Sequence, residues 1–393
     1  MTTQSKKNNT RWRTALLAAC AITSASAGAQ TPERARDLGI PFNGTPGALN
    51  AITDVRGVEV GYTTRIEGEG KLVVGKGPIR TGVTVVFPRG KDDPAPVYGG
   101  WFSQNGNGEM TGTTWLDESG FLEGPIAITN THSVGVVRDS VIAWSVEQGR
   151  LAVQPWMLPV VAETWDGGIN DINGFHISKQ DVFAALNAAK GGAVAEGNVG
   201  GGTGMICYEF KGGSGTSSRV LPARQGGYTV GVFVQCNCGD RSDLTIAGVP
   251  VGKALPTQQK RPGFETDGEA GDVGSIIIVV ATDAPLLPVQ LKRLAKRATM
   301  GLARTGSTSG NYSGDIFIAF STANHGADGK PGPNAVQTLS NDRISPLFQA
   351  TVEATEEAIV NAMVGARSMK AIDGSTVEAL PHDKVRALMQ GQR

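Results

Sequence analysis

The stretch Gly274-Ser275-Ile276-Ile277-Ile278-Val279-Val280-Ala281 decides the reading of this chain. Five β-branched residues in a row follow a serine, which predicts a short strand buried on both faces. Upstream, Arg261-Pro262-Gly263-Phe264-Glu265-Thr266-Asp267-Gly268-Glu269-Ala270-Gly271-Asp272-Val273 is polar and rich in Gly and acid, and reads as an exposed loop. A loop thus ends in Gly-Ser where a core strand begins. Cutting the Gly274–Ser275 bond would make Ser275 the head of a new chain, with a hydroxyl and a free α-amine on one residue. An amine neighbour of that kind activates the hydroxyl of Ser- or Thr-headed hydrolases. Taken alone, the stretch supports only a strand after a tight turn. The rest of the chain has to add to it.

The 393 residues carry 36 basic and 36 acidic side chains, so charge gives no case for nucleic acid or an anionic membrane surface. Gly is the outlier at 54 residues, about twice the usual ~7%. The glycines cluster between apolar runs, which suggests tight turns and close backbone approaches. At the N-terminus, Lys6, Lys7, Arg11 and Arg13 precede an apolar run from Thr14 to Ala25 and an A-x-A site at Ala27-Gly28-Ala29. This reads as an export signal over residues 1–29, with a periplasmic or secreted mature chain from Gln30. Leu17-Ala18-Ala19-Cys20 also resembles a lipoprotein box, but its apolar segment is short. No later stretch reaches the ~18 apolar residues of a membrane span.

Removing the signal leaves Cys207, Cys236 and Cys238, an odd number, so no disulfide framework is expected. Cys236-Asn237-Cys238 has neither redox nor zinc spacing, and His132, His176, His325 and His382 are ungrouped. No metal and no other cofactor is expected.

Strands are predicted over Val58–Tyr62, Thr81–Phe87, Pro125–Asn130, Pro159–Thr164, Ile206–Phe210, Tyr228–Gln235 and Ile316–Phe320. Gln104 to Glu109 is dense in turn formers. Helices are predicted from Asp139 through Trp144, over Asp181–Lys190, from Pro288 to Gly306, and over Pro346–Ala366. Gly200-Gly201-Gly202-Thr203-Gly204 could cradle phosphate, but no GK[ST] follows and the next residues read as a strand. No composition break marks a linker. One α+β domain results, with helices packed outside sheets.

Nearly end to end from Arg34, the chain resembles the family of L-aminopeptidase/D-alanyl esterase-amidases and their β-peptidyl aminopeptidase relatives. The carrying stretches are Arg34 to Gly39, Asn50 to Gly61, Gln104 to Gly112, Asn130 to Gly135, Gly197 to Met205, Ala281 to Leu286, and Ser313-Gly314-Asp315. The resemblance implies an αββα sandwich like that of the N-terminal-nucleophile hydrolases but differently connected. It implies self-cleavage into an α chain, residues 30–274, and a β chain, residues 275–393. The αβ units would form a homo-oligomer. Ser275 matches the nucleophile, and Ser313 and Asp315 match residues that assist it. Asn237 matches the oxyanion-hole asparagine, and Glu163 an acid that binds the substrate's free amine. Trp165 stands where relatives vary, and is expected to shape the pocket.

These roles agree with the chemistry. Gly274 has no Cβ and can take the geometry that attack by Ser275 demands. A carboxylate at Glu163 favours a free N-terminus. The expected activity is release of N-terminal residues from short peptides, amides and esters through an acyl-enzyme on Ser275. Asn170 to His176 and Ser313-Gly314-Asp315 look more like the L-aminopeptidase/D-alanyl branch, so D-alanyl amides and esters are expected substrates. The alternatives are a β-peptidyl aminopeptidase of the same family, the acyltransferase branch of arginine biosynthesis, which uses threonine, and an exported solute-binding protein.

Overall fold

The computed structural model describes residues 1–4, 33–151, 154–257, 261–263, 274–327 and 332–391. The chain divides into two compact units, Met1–Pro32 and Glu33–Arg393, and the second carries all that follows. The expected export signal falls almost wholly outside the described residues. No described helix is long and apolar enough to cross a membrane.

In chain order the strands are β1 (Glu59–Glu67), β2 (Ile79–Phe87), β3 (Val97–Gly106), β4 (Phe121–Leu122), β5 (Ile126–Asn130), β6 (Val160–Thr164), β7 (Ile206–Cys207), β8 (Phe210–Lys211), β9 (Gly213–Val220), β10 (Thr229–Asn237), β11 (Ser275–Thr282) and β12 (Gly314–Ser321). The helices are α1 (Thr113–Ser119), α2 (Val134–Glu147), α3 (Lys179–Ala188), α4 (Val251–Ala254), α5 (Pro288–Ala295), α6 (Ala298–Arg304), α7 (Ser345–Val364) and α8 (His382–Gln390). A four-stranded sheet runs β1-β2-β5-β6 and a six-stranded sheet runs β4-β3-β12-β11-β10-β9, while β7–β8 and two further strands, β13 (Met369–Lys370) and β14 (Thr376–Val377), form two-stranded sheets.

The β-branched run explains the layering. Side chains alternate across a strand, so Ile276, Ile278 and Val280 face Leu291, Leu294, Ile359 and Met363 in one core. Ile277, Val279 and Ala281 face the other way, into a core shared with Val86, Ile126, Ile128 and Val160 of the second sheet. That sheet turns its other face, with Val83, Val85, Ala127 and Val161, against Val137, Val141, Trp144 and Leu186. Three apolar layers thus separate four layers of structure, α5–α7, sheet, sheet and α2–α3. The expected αββα sandwich is present.

Several predicted elements shift. The helix expected from Asp139 begins at Val134, because Val134 and Val137 are buried; Asp139 is an exposed residue inside α2. The helix expected from Pro288 to Gly306 is broken into α5 and α6 at Lys296–Arg297. The strand expected over Ile206–Phe210 is a hairpin, β7 and β8, with Tyr208 and Glu209 at positive φ in its turn. β3 extends to Gly106, so Gln104-Asn105-Gly106 is strand and the turn follows it.

Candidate active site

Sheet register assembles the site. Ser275 opens β11 and pairs with Asn237, the last residue of β10, on one side and with Gly314 at the start of β12 on the other. Gly314 in turn faces Gly106 at the end of β3. Asn237, Ser275 and Gly314 therefore form one row across the end of the six-stranded sheet. Ser275 is 5% exposed. Its Oγ accepts the Gly314 N–H at 3.1 Å. The same N–H donates to the Gly274 carbonyl oxygen, also at 3.1 Å. Asp315 is fully buried, and its Oδ1 accepts the Ile276 N–H at 3.2 Å, next to Ser275. Ser313 is buried beside them, and its carbonyl accepts from Asn105 Nδ2 at 2.7 Å.

The other sheet supplies the acid. Glu163 lies near the end of β6, parallel to β5, and is 3% exposed. Its Oε1 accepts the Glu109 N–H at 3.0 Å, and its Oε2 accepts the Thr131 hydroxyl. Burial pushes the Glu163 carboxyl up from its ordinary value, against these two hydrogen bonds. The 107–111 segment links the two sheets. A methyl group on Gly108 would lie 3.1 Å from Gly314 Cα and 3.2 Å from Glu163 Oε1. Glycine there lets the acid of one sheet approach the strand-end row of the other.

A cavity of about 370 Å³ joins these groups, lined by Asn107, Glu109, Thr131, Glu163, Trp165, Arg261, Gly274, Ser275 and Tyr312 among others. Trp165 also walls a neighbouring cavity of about 310 Å³ with His132, Asp171 and Asn173. The Trp165 backbone carbonyl accepts Asn237 Nδ2 at 2.9 Å. The residues expected at the site, Ser275, Ser313, Asp315, Asn237, Glu163, Trp165 and Gly274, all gather at this end of the two sheets.

Two contributors went unread in the sequence. The Gly314 N–H is a backbone donor and carries no side-chain signature. Arg261 sits in a segment read as exposed loop, yet Pro262 is buried and Arg261 Nη2 donates to Asn237 Oδ1 at 2.8 Å. Residues 264–273 of that segment lie outside the described residues. The expectation of no disulfide also needs correction. Cys207 and Cys236 are bonded, because the hairpin β7–β8 lies against β10 and brings together residues 29 apart in sequence. Cys238 lies outside that disulfide and is buried, with its Sγ 3.8 Å from that of Cys236.

A serine at the head of a core strand, with a buried acid brought close from the second sheet, is an arrangement suited to serine-type hydrolysis. The family model for peptidase family S58 matches residues 50–377, and the chain belongs to that family. It is 53% identical to the β-peptidyl aminopeptidase BapA of Sphingosinicella microcystinivorans, over 95% of each chain. It is 50% identical to the protein of that name from Sphingosinicella xenopeptidilytica, over 96% of this chain and 95% of the other. Among solved structures, a Burkholderia β-aminopeptidase superposes with TM-score 0.83 at 49% identity, covering 91% of this chain and 99% of that one. The L-aminopeptidase D-Ala-esterase/amidase of Ochrobactrum anthropi, described as a variant of the Ntn hydrolase fold, gives TM-score 0.83 at 45% identity, covering 91% and 98%. The chain is thus a serine-type aminopeptidase with the Ntn-variant αββα fold.

Proposed function

We propose that this enzyme cleaves its own Gly274–Ser275 bond and then acts as a β-peptidyl aminopeptidase, releasing N-terminal β-amino acids from short peptides and amides. The observation that carries the substrate class is the identity of 53% and 50% to two β-peptidyl aminopeptidases over nearly the whole chain. It weighs more than the few residues, Asn170 to His176 and Ser313 to Asp315, that favoured the L-aminopeptidase/D-alanyl branch.

The chemistry follows from the row of residues. Ser275 Oγ adds to the Gly274 carbonyl carbon, and the Gly314 N–H stands ready for the oxygen as it gains charge. The C–N bond breaks as the nitrogen, which keeps its own hydrogen, takes up the proton lost by Oγ and becomes the Ser275 α-amine, leaving Gly274 as an ester on Oγ. Water then hydrolyses the resulting Gly274 ester. In turnover, the amine draws the proton from Ser275 Oγ as it attacks the substrate carbonyl and passes it to the leaving amine as the C–N bond breaks, and water then hydrolyses the acyl ester to free Ser275. Asp315 holds the amine in place, Ser313 assists, and Asn237 donates to the oxyanion. Glu163 pairs with the substrate ammonium. Export to the periplasm, through the signal over residues 1–29, and assembly of αβ units into an oligomer complete the proposal.

Comparing kcat/KM for β-homoalanyl, L-Ala, D-Ala and L-Leu p-nitroanilides tests the substrate class. The β-homoalanyl substrate should lead. A lead for L-Ala or D-Ala would return the chain to the L-aminopeptidase/D-alanyl branch. Ser275→Ala should leave one uncut chain with no amidase activity.

A further inference from the structure

We propose that Arg261 is a positioning residue of the oxyanion site, fixing the Asn237 side-chain amide and strengthening it as a donor. The inference rests on the reading of Asn237 as an oxyanion donor. Asn237 ends β10 opposite Ser275. Its Oδ1 accepts two N–H groups, from Ile206 and from Arg261 Nη2, each at 2.8 Å. Its Nδ2 gives one hydrogen to the Trp165 carbonyl at 2.9 Å. A primary amide has two N–H hydrogens, so the other is the one an oxyanion can take.

The guanidinium bond to Oδ1 is charge-assisted, and therefore stronger than the one from Ile206. Pulling electron density toward Oδ1 makes the Nδ2 hydrogens better donors, as in any polarised chain of hydrogen bonds. Orientation matters as much. An amide turned over would present Oδ1 to the oxyanion and repel it. Arg261 Nη2 also lies 3.1 Å from the Asn237 carbonyl oxygen and 3.0 Å from that of Ile206. It thus binds the end of β10 to β7, the two segments that set the position of this amide. The Cys207–Cys236 disulfide joins the residues adjacent to Ile206 and Asn237, so the same pair is tied covalently one position away.

The test is steady-state kinetics on processed enzyme with β-homoalanyl p-nitroanilide, whose leaving group carries no carboxylate. Arg261→Met should lower kcat about tenfold, a fraction of the 10²–10³-fold expected for losing an oxyanion donor outright, and leave KM within about twofold. Arg261→Lys should recover part of the loss, since it restores the charge but not the fork. If Arg261→Met fails to fold or process, Arg261→Lys gives the same reading with a smaller fall in kcat. The double variant Arg261→Met/Asn237→Ala should be no slower than Asn237→Ala alone. A raised KM with unchanged kcat would make Arg261 a substrate contact. Additive losses would make it independent of Asn237. Either result, or wild-type kinetics in both Arg261 variants, overturns the proposal. Wild-type rates for Asn237→Ala would instead sink the oxyanion reading beneath it.

Discussion

Gly274 has φ +144°, and a Cβ there would lie 1.9 Å from the Asn237 carbonyl oxygen. No side chain fits without moving the end of β10. Gly274→Ala should therefore slow or abolish processing, and a time course on a denaturing gel would show a persistent full-length band. Processing at the normal rate would remove the proposed geometric demand. On the proposed mechanism, Glu163 acts in turnover instead. Glu163→Gln should still cut itself, because no substrate ammonium takes part in that step, and should lose at least tenfold in kcat/KM on free-amine amides. Parallel loss of both would make Glu163 structural. Asp166, next to Trp165, is fully buried, and burial pushes its carboxyl up to about 7 against hydrogen bonds from Thr81 and Asn170. Its folded pKa stands above the unfolded one. The native state then holds a proton that the unfolded chain has released, and stability falls as pH rises from about 4 to about 7. Asp166→Asn should flatten that slope in denaturant melts; an unchanged slope would assign it elsewhere. At this scale the sequence displayed side chains with a chemical type, such as Ser275, Asn237 and Glu163. It could not display the Gly314 N–H or Arg261, whose roles exist only once strand ends and loop meet.

Among the elements, β11 was the most legible, because a run of β-branched residues can bury both faces only inside a layered sheet. β9, Gly-Ser-Gly-Thr-Ser-Ser-Arg-Val, is not among the predicted strands and is a buried strand of the six-stranded sheet. Its small residues allow α7 to come close: a Cβ on Gly215 would lie 2.1 Å from the Ala358 carbonyl oxygen, and Ser217 donates to the Ala354 carbonyl at 2.6 Å. Composition alone does not separate such a strand from a turn. The same face holds a buried charge cluster. Glu357 on α7 receives Arg219 from β9 at 2.7 Å, Arg36 at 2.8 Å and Asn50 at 2.6 Å. Burial raises the Glu357 carboxyl, but the bonds from Arg36 and the charge of Arg219 outweigh it and hold it below its ordinary value. Its stabilising effect is therefore present above the unfolded glutamate pKa and lost as pH falls through the lower folded one. Glu357→Gln takes the closest carboxylate from Arg219, leaving it Glu353 at 3.8 Å, and should cost about 3 kcal/mol at neutral pH by denaturant unfolding. A change under about 0.5 kcal/mol, the size of an exposed pair, would contradict this.

At the level of the whole molecule, the order β4-β3-β12-β11-β10-β9 has an unusual property when divided at Gly274. β3 and β4 precede the cut, β12 and β11 follow it, and β10 and β9 precede it again. The two later strands sit as a wedge between strands of the earlier piece, hydrogen-bonded along both seams. Arg36 and Glu357 add an ion pair across the same division. Halves made by the proposed cut would thus be dovetailed, and parting them would mean opening the six-stranded sheet at two places at once. They should co-elute on a native sizing column at any dilution and separate only in denaturant. If maturation runs as proposed, folding first and cutting second, halves parted in denaturant would have to re-form both seams together to find one another again, and activity should recover poorly on dilution into buffer.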